Sequence, residues 1–258
     1  MNKFKLFLLL SMLPIFTGLL GQQQNGDYIY HYSVMDGMRN GIYKGEHHVA
    51  HLAEKGDFGL GTYNLLDGEM IVKDGLFYRI RSDGSIEKAD PASQSPFNSL
   101  TNFEADTTVL FTFSGNFGEL QSYILSLLPS KNLPYAVQVK LTLKTIIAGG
   151  AEKLAHSDTT GLAALMTKRP LYEGKNITGS MIGFYNPAYM SNVDLSPFHF
   201  HFISDNKKFG GHLVDANVEN TTVELLLDEK DGYIIELLNY NPRFRHANFG
   251  NKDAKASY

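Results

Sequence analysis

The chain has 258 residues, 43% hydrophobic and 12% aromatic, with 23 Lys+Arg against 27 Asp+Glu and neither Cys nor Trp. A chain this long and this apolar can bury a substantial core, which excludes intrinsic disorder. The lack of cysteine excludes disulfides, thiolate zinc sites, iron–sulfur clusters and a cysteine nucleophile, so any metal must sit on His, Asp or Glu. A formal charge of −4 lacks the basic surplus that neutralising phosphates requires, and nucleic acid is not an expected partner.

Residues 1–21 open with Lys3 and Lys5, continue as the apolar run LFLLLSMLPIFTGLLG and give way to Gln22-Gln23-Gln24-Asn25. This is the layout of a secretory signal peptide. A membrane anchor needs about 18 to 20 clean apolar residues, and this run is interrupted by Ser11 and Pro14. The expected product is cleaved near Gly21 and exported, periplasmic or secreted, with no membrane attachment. Removing two lysines and no acid takes the formal charge to −6.

The remainder reads as mixed α and β. Tyr28–Tyr32 alternates as a strand should, and Glu46–Glu54 (EHHVAHLAE), closed by Lys55-Gly56, has the acid-first, Lys-Gly-last pattern of a helix. Asp67-Gly68 and Asp74-Gly75 are hairpin signals and predict an antiparallel meander from Phe58 to Arg81. Asp83–Asn102, polar and holding two prolines, predicts a loop or a chain crossing to another element. A strand at Val109–Phe113 follows, then a helix over Phe117–Leu128 stopped by Pro129, then a strand over Ala136–Ile147 ending at Gly149-Gly150. A short helix is expected near Gly161–Thr167. The segments GSMIGFYN, FHFHFIS, GGHLVDANVEN, TTVELLLDE and GYIIELLNY predict four or five further strands. The weak break at 83–102 divides the chain into residues 22–100 and 101–258, acting as one functional unit.

The chemistry concentrates in one hairpin. In Pro197-Phe198-His199-Phe200-His201-Phe202-Ile203, a period of two sends His199, His201 and Ile203 to one face and three phenylalanines to the other. A turn centred on Asn206-Lys207 places His201 directly across from His212, unless a bulge at Gly210-Gly211 shifts the register. Three neutral imidazoles are the donor set of a catalytic Zn²⁺ site with an open coordination position. The rival cluster, His47, His48 and His51, lacks the general-base Glu of an H-E-x-x-H motif and reads as a solvated helix face. No nucleophile elbow, Walker A loop or dinucleotide fingerprint occurs.

Gly56-Asp57-Phe58-Gly59-Leu60-Gly61-Thr62-Tyr63-Asn64, Leu66-Asp67-Gly68-Glu69-Met70 and Asp74-Gly75-Leu76-Phe77-Tyr78 resemble the N-terminal half of the α-acetolactate decarboxylase family. The resemblance extends to Gly179-Ser180-Met181-Ile182-Gly183-Phe184, to Pro187-Ala188-Tyr189 and, most specifically, to His199–Asp205 with Gly210-Gly211-His212. It implies a mixed α+β fold of two packed β-rich lobes with a few helices and a zinc between them, usually as a homodimer. The implied activity is that of a carbon–carbon lyase, taking a 2-hydroxy-3-keto acid, 2-acetolactate, to acetoin and CO₂ with the metal stabilising an enediolate. Carried over by position, His199, His201 and His212 are the metal ligands, Glu69 the active-site carboxylate and Thr62 a pocket residue.

Two departures accompany the match. The resemblance also implies an arginine in the central stretch that helps bind the carboxylate or supplies the proton, where this chain reads Leu143-Lys144-Thr145-Ile146-Ile147-Ala148-Gly149-Gly150 and has no arginine between Arg81 and Arg169. Lys144 is the nearest cation and the candidate substitute, although an ammonium lacks the planar two-pronged grip of a guanidinium. The family also brings a C-terminal glutamate to the metal, whereas here Asp253 is the only acid beyond Glu236. The alternatives are a non-catalytic member of the same fold that binds metal or a small hydroxy-keto acid, and, ranked last, a cupin-type metal enzyme.

Overall fold

Alternating apolar residues and Asp-Gly turns yield a β-rich molecule whose residues 27–249 are described by a computed structural model. The first elements are β1 (Tyr28–Tyr32), α1 (Met35–Arg39), β2 (His47–His48), α2 (Val49–Leu52), β3 (Phe58–Thr62), β4 (Glu69–Lys73), β5 (Leu76–Ile80), β6 (Ile86–Lys88), β7 (Gln94–Ser95) and β8 (Phe97–Thr101). Then come β9 (Thr107–Asn116), α3 (Phe117–Leu127), β10 (Tyr135–Gly149), α4 (Leu162–Met166), β11 (Leu171–Tyr185), β12 (Phe198–Ser204), β13 (Gly210–Glu229), β14 (Gly232–Glu236) and α5 (Pro242–His246). The expected signal peptide and Asp253 lie outside the described residues.

Two sheets make the two lobes. The first has the order β14-β1-β8-β3-β4-β5-β6. Within it β1 and β14 run parallel and the other pairs antiparallel. The second has the order β10-β11-β12-β13-β9, and because β10 also pairs with β13, four of its strands close on themselves. Its interior is filled by Phe198, Phe200 and Phe202, the three phenylalanines of β12, together with Leu120 and Ile124 of α3. That helix carries a capping box in which Asn116 accepts from the Glu119 backbone N–H and Glu119 from that of Asn116, satisfying two otherwise orphaned donors. Another apolar cluster joins the lobes: Phe58, Leu60, Ile71 and Ile80 of the first pack with Ile182, Phe184 and Ile203 of the second. Ile203 thus faces the other lobe, as the period-two reading of the hairpin required.

The structure departs from the predicted elements in four places. Residues 83–102 are not a loop: they hold β6, β7 and the central strand β8. β8 buries Asn98, Ser99 and Thr101, whose polarity hid it from any hydrophobic pattern. The expected helix over Glu46–Glu54 shrinks to α2, since His47 and His48 pair with Ser95 and Gln94. The two segments expected after Gly210 form one strand, β13. Its pairing with β9 shifts between Val218 and Thr221, with Asn220 at φ 42°, a left-handed conformation that Asn tolerates better than most residues. Finally, β14 returns to lie beside β1, so the first sheet takes a strand from beyond the division expected near residue 100.

Candidate metal centre

β12 and β13 pair His201 with His212, Phe202 with Gly211 and Ile203 with Gly210, the register that a turn at Asn206-Lys207 predicts. No bulge displaces it. The imidazoles of His199, His201 and His212 form a nearly equilateral triangle, with ring centroids 5.2, 5.3 and 5.2 Å apart. One ligand atom from each lies within 4.8 Å of the others, close enough for a single ion to be shared at bond lengths of about 2.0–2.1 Å after small side-chain adjustments.

Hydrogen bonding orients two of the rings. His199 Nδ1 lies 2.8 Å from Asp194 Oδ1, and His201 Nδ1 lies 2.9 Å from the Met70 carbonyl oxygen. With those acceptors each Nδ1 carries the proton, and each Nε2 keeps a lone pair for a metal. Burial, reinforced by neighbouring imidazoles, pulls His201 down to about 3 and His212 well below its ordinary range. Both rings are therefore neutral at physiological pH, the form that ligates. Orientation, protonation state and donor type all fit a divalent ion that favours nitrogen.

Asp194 is fully buried and was not anticipated. Burial alone would raise its carboxyl, but His199 and His31 outweigh that and hold it well below the usual range. Ser99 Oγ donates to its Oδ2 at 2.9 Å, which gives the buried polar strand β8 a purpose. The carboxylate locks His199 and strengthens its donor nitrogen. Asp194→Asn is expected to weaken divalent-metal binding about 10- to 100-fold with the fold retained, measured by competition against a chromophoric chelator.

The first lobe closes the site. Glu69 opens β4 after the Asp67-Gly68 turn and pairs with Thr62 of β3. Its Oε2 stands 3.6 Å from His201 Nε2, and the side chain is 17% exposed. Burial pushes its carboxyl up to about 8, with partial relief from Arg169. Thr62, also buried, donates to the Gly68 carbonyl at 2.9 Å and so braces the turn that aims Glu69. Met35 and Met38 of α1 with Leu162 and Met166 of α4 supply an apolar wall, and the cavity measures about 510 Å³ including its open mouth.

Of the predicted site residues, His199, His201, His212, Glu69 and Thr62 all line this cavity. Lys144 does not. It projects from β10 on the outer surface, half exposed, and pairs with Glu219 at 2.6 Å, because the alternation of β10 turns it away from the neighbours that face inward. The cation that lines the pocket is Arg169, just ahead of β11. The rival histidines lie elsewhere: His47 Nε2 is 2.5 Å from Glu236 Oε1 and its ring 4.6 Å from that of His51. Among the described residues, His199, His201 and His212 alone form a three-ligand group.

Two β lobes with three inward-facing imidazoles at their junction define a class of β-protein able to hold a metal ion beside a small pocket with an apolar wall. Within that class, a family model described as alpha-acetolactate decarboxylase matches residues 29–251, and the chain belongs to that family. The chain is 34% identical to the alpha-acetolactate decarboxylase of Bacillus subtilis (strain 168) over 225 residues, 87% of each protein. It is likewise 34% identical to that of Methanosarcina mazei over 211 residues, 82% of this chain and 72% of that one. The crystal structure of the Bacillus subtilis strain 168 enzyme superposes with a TM-score of 0.82 at 33% identity, covering 88% of this chain and 95% of that one. Family membership supports decarboxylation of acetolactate to acetoin.

Proposed function

We propose that this protein is a zinc-dependent acetolactate decarboxylase, and the observation that carries the reading is the placement of protonatable Glu69 beside the converging imidazoles of His199, His201 and His212. His199, His201 and His212 would hold the ion, which supplies Lewis acidity to the oxygens of a 2-hydroxy-3-keto acid. Three nitrogen donors suit zinc.

The chain's own residues account for the rest. In 2-acetolactate the C1–C2 bond breaks, CO₂ leaves, and the electron pair remaining on C2 is shared with the C3 carbonyl. C2 then takes a proton, giving acetoin. Glu69 is the acid within reach, and burial raises its carboxyl to about 8 in the metal-free protein, which favours the protonated form that proton delivery to C2 requires. Thr62 fixes the turn that aims Glu69. The methionine and leucine wall from α1 and α4 matches the two methyl groups of the substrate and excludes water.

The test is direct. Purified protein is incubated with racemic 2-acetolactate and acetoin is followed. Formation well above the spontaneous rate, lost on chelation and restored by zinc, supports the reading. Zinc retained without acetoin would instead favour the non-catalytic alternative, and its sequence motivation, the absent central arginine, is weakened by Arg169 at the pocket.

The same reading includes a homodimer and export. The open edge strand β14 exposes Ile234 and Ile235, with Leu237 and Tyr240 just beyond it, an apolar sheet edge of the kind subunit contacts cover. A monomer mass by light scattering would remove the dimer. Recovery of material whose N-terminus begins at Met1 would remove processing near Gly21.

A further inference from the structure

The pocket contains one guanidinium, and among the described residues no carboxylate pairs with it. Arg169 is half-buried and lines the cavity with His212 and Glu69. It lies near enough for its charge to act on both. Its one hydrogen bond is a weak contact from Nη1 to the Met166 sulfur at 3.5 Å. Among the described residues no carboxylate comes within 4.0 Å of it, whereas Arg79, Arg81 and Arg39 each have an acidic partner within that distance. Keeping an unpaired cation in a partly desolvated site is unfavourable unless an anion arrives to share it.

The backbone around Arg169 is arranged to admit such an anion. Gly149, the last residue of β10, pairs with Leu171 of β11, and a Cβ on Gly149 would stand 2.6 Å from the Pro170 carbonyl oxygen. A Cβ on Gly150 would stand 3.0 Å from Glu69 Oε1. The glycine pair leaves the end of β10 without side chains where β11 begins, and the charged side chain that lines the cavity from this corner is that of Arg169. A cation that β10 does not provide is supplied from the segment preceding β11.

We infer that Arg169 is the substrate-carboxylate anchor of this pocket, binding the 2-hydroxy-3-keto acid through the group that leaves as CO₂ while the imidazole side of the cavity takes its hydroxyl and keto oxygens. The inference rests on the decarboxylase reading for the identity of the acid. The guanidinium offers two parallel N–H donors to a carboxylate. Held there, the C1–C2 bond lies between Arg169 and the histidine face, and C2 is directed toward Glu69.

The test uses the zinc-loaded full chain and the variants Arg169→Gln and Arg169→Lys. Turnover of 2-acetolactate is measured alongside calorimetric binding of 2,3-dihydroxy-2-methylbutanoate, which lacks the keto group and cannot decarboxylate, and of its uncharged methyl ester. Arg169→Gln is expected to weaken the carboxylate about 10- to 100-fold, to raise KM more than it lowers kcat, and to leave ester affinity and zinc content unchanged; Arg169→Lys is expected to recover part of the carboxylate affinity. Carboxylate binding within twofold of wild type in Arg169→Gln would overturn the assignment, as would an equal loss for acid and ester. If wild type forms no acetoin yet the charge-selective loss is seen, the anchor stands and the reaction assignment fails. If wild type forms acetoin and Arg169→Gln binds the acid normally, the anchor fails and the reaction stands.

Discussion

Glu69→Gln is expected to keep its zinc and lose about 10²- to 10⁴-fold in acetoin formation, the range removed with a positioned general acid. The amide is nearly isosteric and still packs against Gly150, so little else changes, but it cannot release a proton to C2. The pH profile carries the sign of the effect. The protonated carboxyl is the competent form, so turnover falls as pH rises through its pKa. Burial sets that value at about 8 in the metal-free protein, and a cation on the adjacent imidazoles favours the carboxylate and draws it lower. The alkaline limb of the loaded enzyme is therefore expected below pH 8, and the residual activity of Glu69→Gln should lack it. Stability follows the same group. Its folded-state pKa lies above the ordinary 4.5, so the metal-free protein binds this proton more tightly folded than unfolded. That contribution is complete below about pH 4.5 and is lost as pH rises toward 8. Denaturant titrations of metal-free Glu69→Gln should show a flatter dependence across that window, and an unchanged slope would remove Glu69 as the buried acid.

His201→Ala is expected to abolish stoichiometric zinc binding and turnover together. Its ring is 1% exposed and its Nδ1 is bound to the Met70 carbonyl, so removal takes a metal ligand, opens a cavity between the lobes and strands a buried acceptor at a cost of about 1–3 kcal/mol. The distinguishing measurement is thermal stability with and without metal. Wild type should gain about 4 kcal/mol when free zinc is a thousandfold above its Kd and lose that gain on chelation, whereas His201→Ala should melt at the same temperature in zinc and in chelator. A variant that still responded to zinc like wild type would show that the ion is not held by this triangle. His199→Ala gives an independent check, since it leaves the contact with Met70 intact.

Legibility along the chain followed the physical origin of each feature. The histidine hairpin could be read directly because strand periodicity is local: residues two apart share a face whatever surrounds them, and a turn centred on Asn206-Lys207 pairs His201 with His212, the register observed. The meander from β3 to β5 was equally plain from its Asp-Gly turns. β8 was not, because a strand that buries Asn98, Ser99 and Thr101 owes its stability to partners far away, among them Asp194. Asp194 itself has no local signature beyond standing five residues before His199. Arg169 was visible in the sequence as the next arginine after a long gap, yet its distance from β10 made Lys144 the apparent substitute. Only the pairing of β10 with β11 brings residue 169 beside Gly150 and Glu69.

By itself, then, the sequence determined that a metal would have to avoid sulfur, that three of nine histidines meet on one hairpin, and that an acid follows a tight turn within the first lobe. These are consequences of composition and of short-range backbone geometry. The tertiary structure decided which acid locks His199, which cation reaches the pocket and which face of β10 is outside. Those outcomes depend on packing and strand pairing between residues far apart in the chain, where burial and proximity, rather than spacing, select the partners.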